Sequence, residues 1–268
     1  MKLFLLVAAL ALNDVTNALD YGEKLSRWIS GPNTTEAKPH SKPWMVNLEG
    51  CGGTLIGRRF VLTALHCAIY GVVWQGKVIV LGDHDQTIPE PEEQRVKIKK
   101  IVPYKINEIT DHNKADYAIL VLEKEVQLNK YVQIVNLPTP GSECPEDLEV
   151  CGWGRDVFNK TRKLDKLMCV DQTCRPLENC PNEKLLPEYK RCASYPGKPP
   201  INWLNSACGG DSGGPLSHTD KNGLTTIYGV VSGPGISGND FYCNGPTIYA
   251  SVSNPRVLKW IKDTMTNY

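Results

Sequence analysis

Ten cysteines in a chain of 268 residues are the strongest constraint on how it folds. Reducing compartments keep thiols unpaired, so this many point to an oxidising environment in which disulfides staple the fold. A zinc cluster is the alternative use of so many thiols, but no two cysteines stand at the CxxC spacing of a zinc site. The N-terminus agrees with secretion. Lys2 precedes the apolar run Leu3 to Leu12, which is of signal-peptide length and too short to span a bilayer. Cleavage is expected after Ala18, so residues 1–18 read as a signal peptide and the mature protein as extracellular. No other stretch approaches the ~20 apolar residues of a membrane span, and no membrane partner is expected. In a secreted chain Asn33 (before Thr34-Thr35) and Asn159 (before Lys160-Thr161) are glycosylation acceptors.

Thirty basic residues against twenty-nine acidic ones leave a net charge of +1, which excludes nucleic acid as the main partner. With 41% hydrophobic residues the chain is not disordered. Short strand-like runs recur between Gly and Pro breaks: Trp44–Leu48, Lys77–Leu81, Arg95–Val102, Tyr117–Leu122, Thr226–Ser232 and Thr247–Val252. Val96 and Ile98 alternate with Arg95, Lys97 and Lys99, the period of a half-buried strand. Many short strands with such turns suggest a sandwich or barrels. One helix closes the chain, started by Pro255, with Val257, Trp260, Ile261 and Met265 on one face. Leu137-Pro138-Thr139-Pro140-Gly141-Ser142 reads as a linker.

The chemistry concentrates in Cys208-Gly209-Gly210-Asp211-Ser212-Gly213-Gly214-Pro215. A serine hydroxyl is a weak nucleophile until a base takes its proton. Glycines around it let the backbone turn sharply and aim two N–H groups at a developing oxyanion. No Gly-Lys-Ser/Thr follows, which excludes a phosphate-binding loop. A base is then needed. Among five histidines, His66 sits in Val61-Leu62-Thr63-Ala64-Leu65-His66-Cys67, directly after an apolar strand. Asp116 precedes the apolar Tyr117–Leu122, where a carboxylate that orients the base can be held buried.

These segments resemble the chymotrypsin-like (trypsin-fold) serine protease family from about residue 28 to the C-terminus. The resemblance is carried by Thr63-Ala64-Leu65-His66-Cys67 and Gly210-Asp211-Ser212-Gly213-Gly214-Pro215, with Cys51-Gly52-Gly53 upstream and Gly152-Trp153-Gly154 between. It implies two six-stranded antiparallel β-barrels packed together, with a C-terminal α-helix and disulfide bonds. Barrel one would span about 29–136, barrel two about 143–254 and the helix 255–268. The roles follow: Ser212 as nucleophile, His66 as base, Asp116 as its orienting partner, Gly210 and Ser212 as the oxyanion hole, and Ser232 bonded to the aspartate. Family members are zymogens in which a newly exposed Ile or Val amine pairs with the aspartate before the nucleophile, here Asp211. The family pattern is Arg followed by Ile-Val-Gly-Gly, and this chain reads Arg27-Trp28-Ile29-Ser30-Gly31. Cleavage after Trp28 makes 19–28 an activation peptide and Ile29 the new terminus, the better family match. Cleavage after Arg27 is the alternative.

The resemblance pairs Cys51 with Cys67, Cys180 with Cys192 and Cys208 with Cys243. Cys144, Cys151, Cys169 and Cys174 then remain, and four cysteines allow three connectivities. Cross-strand partners in a hairpin keep a nearly constant sum of positions, which favours Cys151 with Cys169 and Cys144 with Cys174. By the same resemblance Ser206 and Ala207 form the floor of the primary specificity pocket, and Ser232, Gly233, Pro234 and Thr247 its wall. No aspartate waits there for Lys or Arg, so the pocket is elastase- or chymotrypsin-like rather than trypsin-like. Thr247, in place of a family glycine, narrows it for small to medium apolar side chains. Gly82-Asp83-His84-Asp85 and Glu90-Pro91-Glu92-Glu93-Gln94 match the family's calcium loop, with Asp83, Glu90 and Glu93 as carboxylate ligands. A solvated acidic turn is the competing reading. No cofactor is required for the chemistry. The expectation is a monomeric secreted serine endopeptidase acting on proteins or peptides, with protease inhibitors and an activating protease as further partners. Its rival is an inactive homologue that serves as an extracellular binding module, a reading kept open by Leu65 and Gly233 where the family has Ala and Trp.

Overall fold

The computed structural model describes residues 33–155, 163–180, 186–196, 205–234 and 245–268. The expected signal peptide, Ile29, Asn159 and Cys243 lie outside them. Six strands close the first barrel in the order β2 (Met45–Asn47), β3 (Gly52–Gly57), β4 (Phe60–Thr63), β7 (Ala118–Leu122), β6 (Gln94–Pro103), β5 (Val78–Leu81). β7 is apolar along its whole length and β4 up to Thr63, and both are buried at every residue, as strands covered on both faces must be. β6 instead points Val96 and Ile98 inward and Arg95 and Lys97 to water, the expected alternation.

The second barrel runs β8 (Leu148–Gly152), β9 (Met168–Arg175), β10 (Lys190–Ser194), β13 (Thr247–Ser251), β12 (Thr225–Pro234), β11 (Pro215–Thr219) and closes where β11 and β9 both pair with β8. All pairings are antiparallel.

The division between barrels differs from expectation at the N-terminal side. β1 (Thr35–Glu36), assigned above to barrel one, pairs with β9 of barrel two through Thr35↔Cys169 and Glu36↔Met168. The reason lies in β9. On its free side β10 reaches only Thr173 to Arg175, so the backbone groups at Met168 and Cys169 need another partner. Glu36 adds ion pairs to Lys166 at 3.1 Å and His84 at 3.2 Å.

The chain's other end does the reverse. Helix α2 (Pro255–Asn267) begins where Asn254 caps it, its side-chain oxygen accepting from the N–H of Arg256 and Val257. Val257, Leu258 and Ile261 are buried. Trp260 packs edge-on against Tyr104 of barrel one, centroids 5.2 Å apart, and Tyr268 accepts a bond from Lys100 Nζ at 2.7 Å. Thus the final helix rests on the first barrel. No helix among the described residues is long and apolar enough to cross a membrane.

A buried tyrosine ties the barrels together. Tyr117 is fully buried, and its hydroxyl lies 2.8 Å from the carbonyl oxygens of both Tyr189 and Ser251 across the interface. Tyr117→Phe keeps the ring but removes the one hydroxyl that reaches both carbonyls, of which Tyr189 O keeps the Ser251 N–H. We expect it to destabilise the protein by about 1–2 kcal/mol, read as a lower urea midpoint at unchanged slope. The disulfides among the described residues are Cys51–Cys67, Cys144–Cys174, Cys151–Cys169 and Cys180–Cys192. Cys151 and Cys169 stand directly opposite in the β8–β9 register. Cys208 is also disulfide-bonded.

Candidate active site

Two adjacent strand ends bring the first pair of groups together. β4 pairs with β7, with Thr63 opposite Ala118. The chain leaves β4 into the short helix α1 (Leu65–Ile69), which carries His66, and enters β7 just after Asp116. Cys51–Cys67 pins α1 beside β3. As a result Asp116 Oδ2 lies 2.7 Å from His66 Nδ1, and Asp116 Oδ1 accepts the backbone N–H of His66 at 2.9 Å. One carboxylate therefore fixes both the ring and the backbone of the histidine. Ser232, on β12 of barrel two, donates its hydroxyl to Asp116 Oδ2 at 2.6 Å.

Asp116 is 1% exposed. Burial pushes its carboxyl up, but the bond and charge of His66, the Lys190 ammonium and the Ser232 hydroxyl together hold it below the ordinary value. The His66 side chain stays 15% exposed.

Ser212 arrives on the loop before β11. Its carbonyl accepts from Gly52 N at 2.7 Å, which fastens this loop to barrel one. Gly213 makes that approach feasible: its φ is +83°, and a Cβ there would meet Thr63 Oγ1 and Gly52 O far inside contact distance. The sulfur of Cys67 touches both groups, 3.6 Å from Ser212 O and 3.9 Å from His66 Nε2. Among the described residues no direct bond joins the Ser212 hydroxyl to His66, and such bonds commonly tighten only when substrate engages.

The loop's N–H groups divide cleanly. Those of Asp211, Gly213 and Gly214 bond to Cys208, Val231 and Asp211 carbonyls. Those of Gly210 and Ser212 have no acceptor among the described residues. The Asp211 side chain turns the other way, accepting from Gly154 N and Cys208 N at 2.8 Å each. Gly154 is required there, because a Cβ would stand 2.5 Å from the carboxyl carbon. Full burial pushes the Asp211 carboxyl up to about 6 against the pull of those two N–H groups.

The expected pocket segments also converge. Thr247 is buried, and its hydroxyl accepts from Ala207 N at 3.2 Å. Pro234 stands opposite Thr247, and Gly233 opposite Ile248, on neighbouring strands. Ser206, next to Ala207 in the chain, is buried, and no atom of the described residues lies within 4 Å of where a Gly233 side chain would project. On barrel one, oxygens of Asp83, Glu90 and Glu93 lie within 4.8 Å of one another. Asp83 Oδ1 is buried with no hydrogen-bond partner among the described residues. Burial, then the charges of Glu93 and Glu90, push the Asp83 carboxyl up to about 6. Asn33 is exposed. Sequence reasoning missed Lys190, whose buried ammonium lies behind Asp116. A single lysine at the start of a strand carries no local signal of burial.

A family model described as Trypsin matches residues 32–261. Chymotrypsin-like elastase family member 3B of Homo sapiens is 29% identical, covering 95% of this chain and 96% of its own length. Mast cell protease 3 of Ovis aries is 31% identical, covering 100% and 98%.

Proposed function

The chain belongs to the trypsin family and is a serine endopeptidase, and from that premise we propose that it is a secreted zymogen that cleaves by an acyl-enzyme route after small to medium apolar residues. The observation that carries the mechanism is the Asp116–His66 pair at 2.7 Å, together with a serine loop whose Gly210 and Ser212 N–H groups have no acceptor among the described residues. Ser212 Oγ attacks the scissile carbonyl carbon as His66 Nε2 takes its proton. The oxyanion accepts from the N–H groups of Gly210 and Ser212. Nε2 then protonates the leaving amine, and water repeats the sequence on the acyl ester. Asp116 holds the Nδ1–H tautomer throughout.

Asp211 supports the activation reading. A fully buried carboxylate without a cation is costly, and an ammonium freed at Ile29 would relieve it. An activating protease is therefore a partner, and the working enzyme is a monomer open to protein inhibitors. The test is labelling of the secreted protein by a fluorophosphonate probe before and after limited proteolysis. Labelling only after cleavage, with Ile29 or Trp28 as the new terminus, supports the reading. A folded, processed sample that never labels overturns it and leaves an extracellular binding module.

Thr247 supports the narrow pocket. We expect Thr247→Gly to raise kcat/KM for Phe relative to Ala before the cut bond by about 10–100-fold. Paired peptide substrates measure this directly. The carboxylates of Asp83, Glu90 and Glu93 fit a structural calcium ion, which takes 6–8 oxygen ligands and would neutralise the crowded, partly unpartnered set. Millimolar calcium is expected to raise Tm by about 2–4 °C, an effect lost in Asp83→Asn. An equal Tm with calcium and with chelator leaves only an acidic turn.

A further inference from the structure

Lys190 is an ammonium where packing alone calls for none. It opens β10, is 4% exposed, and places Nζ 2.9 Å from Ser232 Oγ and 3.4 Å from the His112 carbonyl. An apolar side chain of the same length would fill the space without desolvating a charge. Donor and acceptor counts explain what the charge does. An ammonium only donates, an ionised carboxylate only accepts, and a hydroxyl has one proton. With Lys190 donating to its oxygen, Ser232 must spend that proton on Asp116 Oδ2, 2.6 Å away. A directed row results: ammonium, hydroxyl, carboxylate, imidazole.

Among the described residues the charged surroundings of this row are few. Lys190 faces Asp116 and, through space, Asp111. Asp116 faces His66, Lys190 and Ser232. The imidazole faces Asp116, the Tyr70 ring at 6.1 Å and the uncharged Cys51–Cys67 bridge. Asp116 orients the imidazole by a hydrogen bond but also favours its charged form. A cation on the far side of Asp116 offsets the second effect and leaves the first intact.

We propose that Lys190 is a positioning residue that fixes the Ser232 hydroxyl on Asp116 and partly offsets the charge that the aspartate presents to the His66 ring. Its catalytic value rests on the protease reading, but its test does not. Titrate the His66 imidazole by NMR in full-length Ser212→Ala protein carrying Lys190, Lys190→Met, Lys190→Gln or Lys190→Arg. The midpoint should rise by about half to one pH unit in the Met and Gln variants and stay within about 0.2 unit in Arg. Gln can still donate to Ser232, so it separates charge from hydrogen bond and substitutes for Met should Met not fold. In enzyme with Ser212 intact, the acid limb of kcat/KM should move the same way. A midpoint unchanged in the neutral variants, or shifted as far in Arg, overturns the proposal. Failure of the folded, proteolytically processed and otherwise unsubstituted chain to label with fluorophosphonate sinks the protease reading and leaves the titration readable.

Discussion

Ser212→Ala should lower peptidase turnover by about 10⁵–10⁶-fold and abolish fluorophosphonate labelling, while leaving the fold intact. The size follows from the chemistry. Removing Oγ deletes the covalent intermediate, so His66 and Asp116 have no proton to manage and contribute almost nothing alone. The two N–H donors remain, because they belong to the backbone of Gly210 and residue 212, and residual catalysis above water reflects them. Folding should survive, because Ser212 is held through its carbonyl to Gly52 N, a bond that alanine keeps. Single-turnover assays on the processed protein, with circular dichroism as the folding control, measure both parts. Turnover within tenfold of the unsubstituted enzyme would mean that another residue is the nucleophile.

Asp116→Asn should cost about 10⁴-fold in kcat with little change in KM. The carboxylate accepts three bonds: from the His66 ring, the His66 backbone and Ser232. An amide offers one oxygen and an N–H₂ group. If the oxygen keeps the backbone N–H, the N–H₂ faces Nδ1 and forces the proton to Nε2, where it blocks attack. The same N–H₂ meets the Ser232 proton, so that hydroxyl must rotate as well. The loss should lessen at high pH, where hydroxide or a deprotonated serine partly bypasses the base. A pH–kcat profile parallel to that of the unsubstituted enzyme would count against the tautomer explanation.

Much of this architecture was legible in the chain. β6 showed itself by its period of two, and α2 by Pro255 and an apolar face. The pairing of Cys151 with Cys169 and Cys144 with Cys174 followed from their nearly constant sum of positions. The meeting of His66 and Asp116 was readable because each stands at the end of an apolar strand. Other features had no local signature. β1 is two exposed residues without an apolar period, and its place on barrel two depends on where β10 stops along β9. Lys190 lies beside Arg191, and nothing in Tyr189-Lys190-Arg191-Cys192 distinguishes a buried ammonium from a solvated one. Only the arrival of Ser232 and Asp116, 42 and 74 positions distant by number, defines its role. Such long-range electrostatics appear once the strands are assembled.

The crossed ends of the chain bear on how it comes apart. The N-terminal strand lies on the second barrel, and the C-terminal helix lies on the first. Separating the halves therefore means peeling off an arm from each, breaking the Thr35–Cys169 and Glu36–Met168 pairs and uncovering Tyr104. Neither half has a self-sufficient surface to retreat to, so partial openings are disfavoured and melting should be concerted. For a protease this matters, because other copies of the same enzyme can cut whatever backbone it exposes. A chain that exposes backbone only when it unfolds completely offers its neighbours few places to cut.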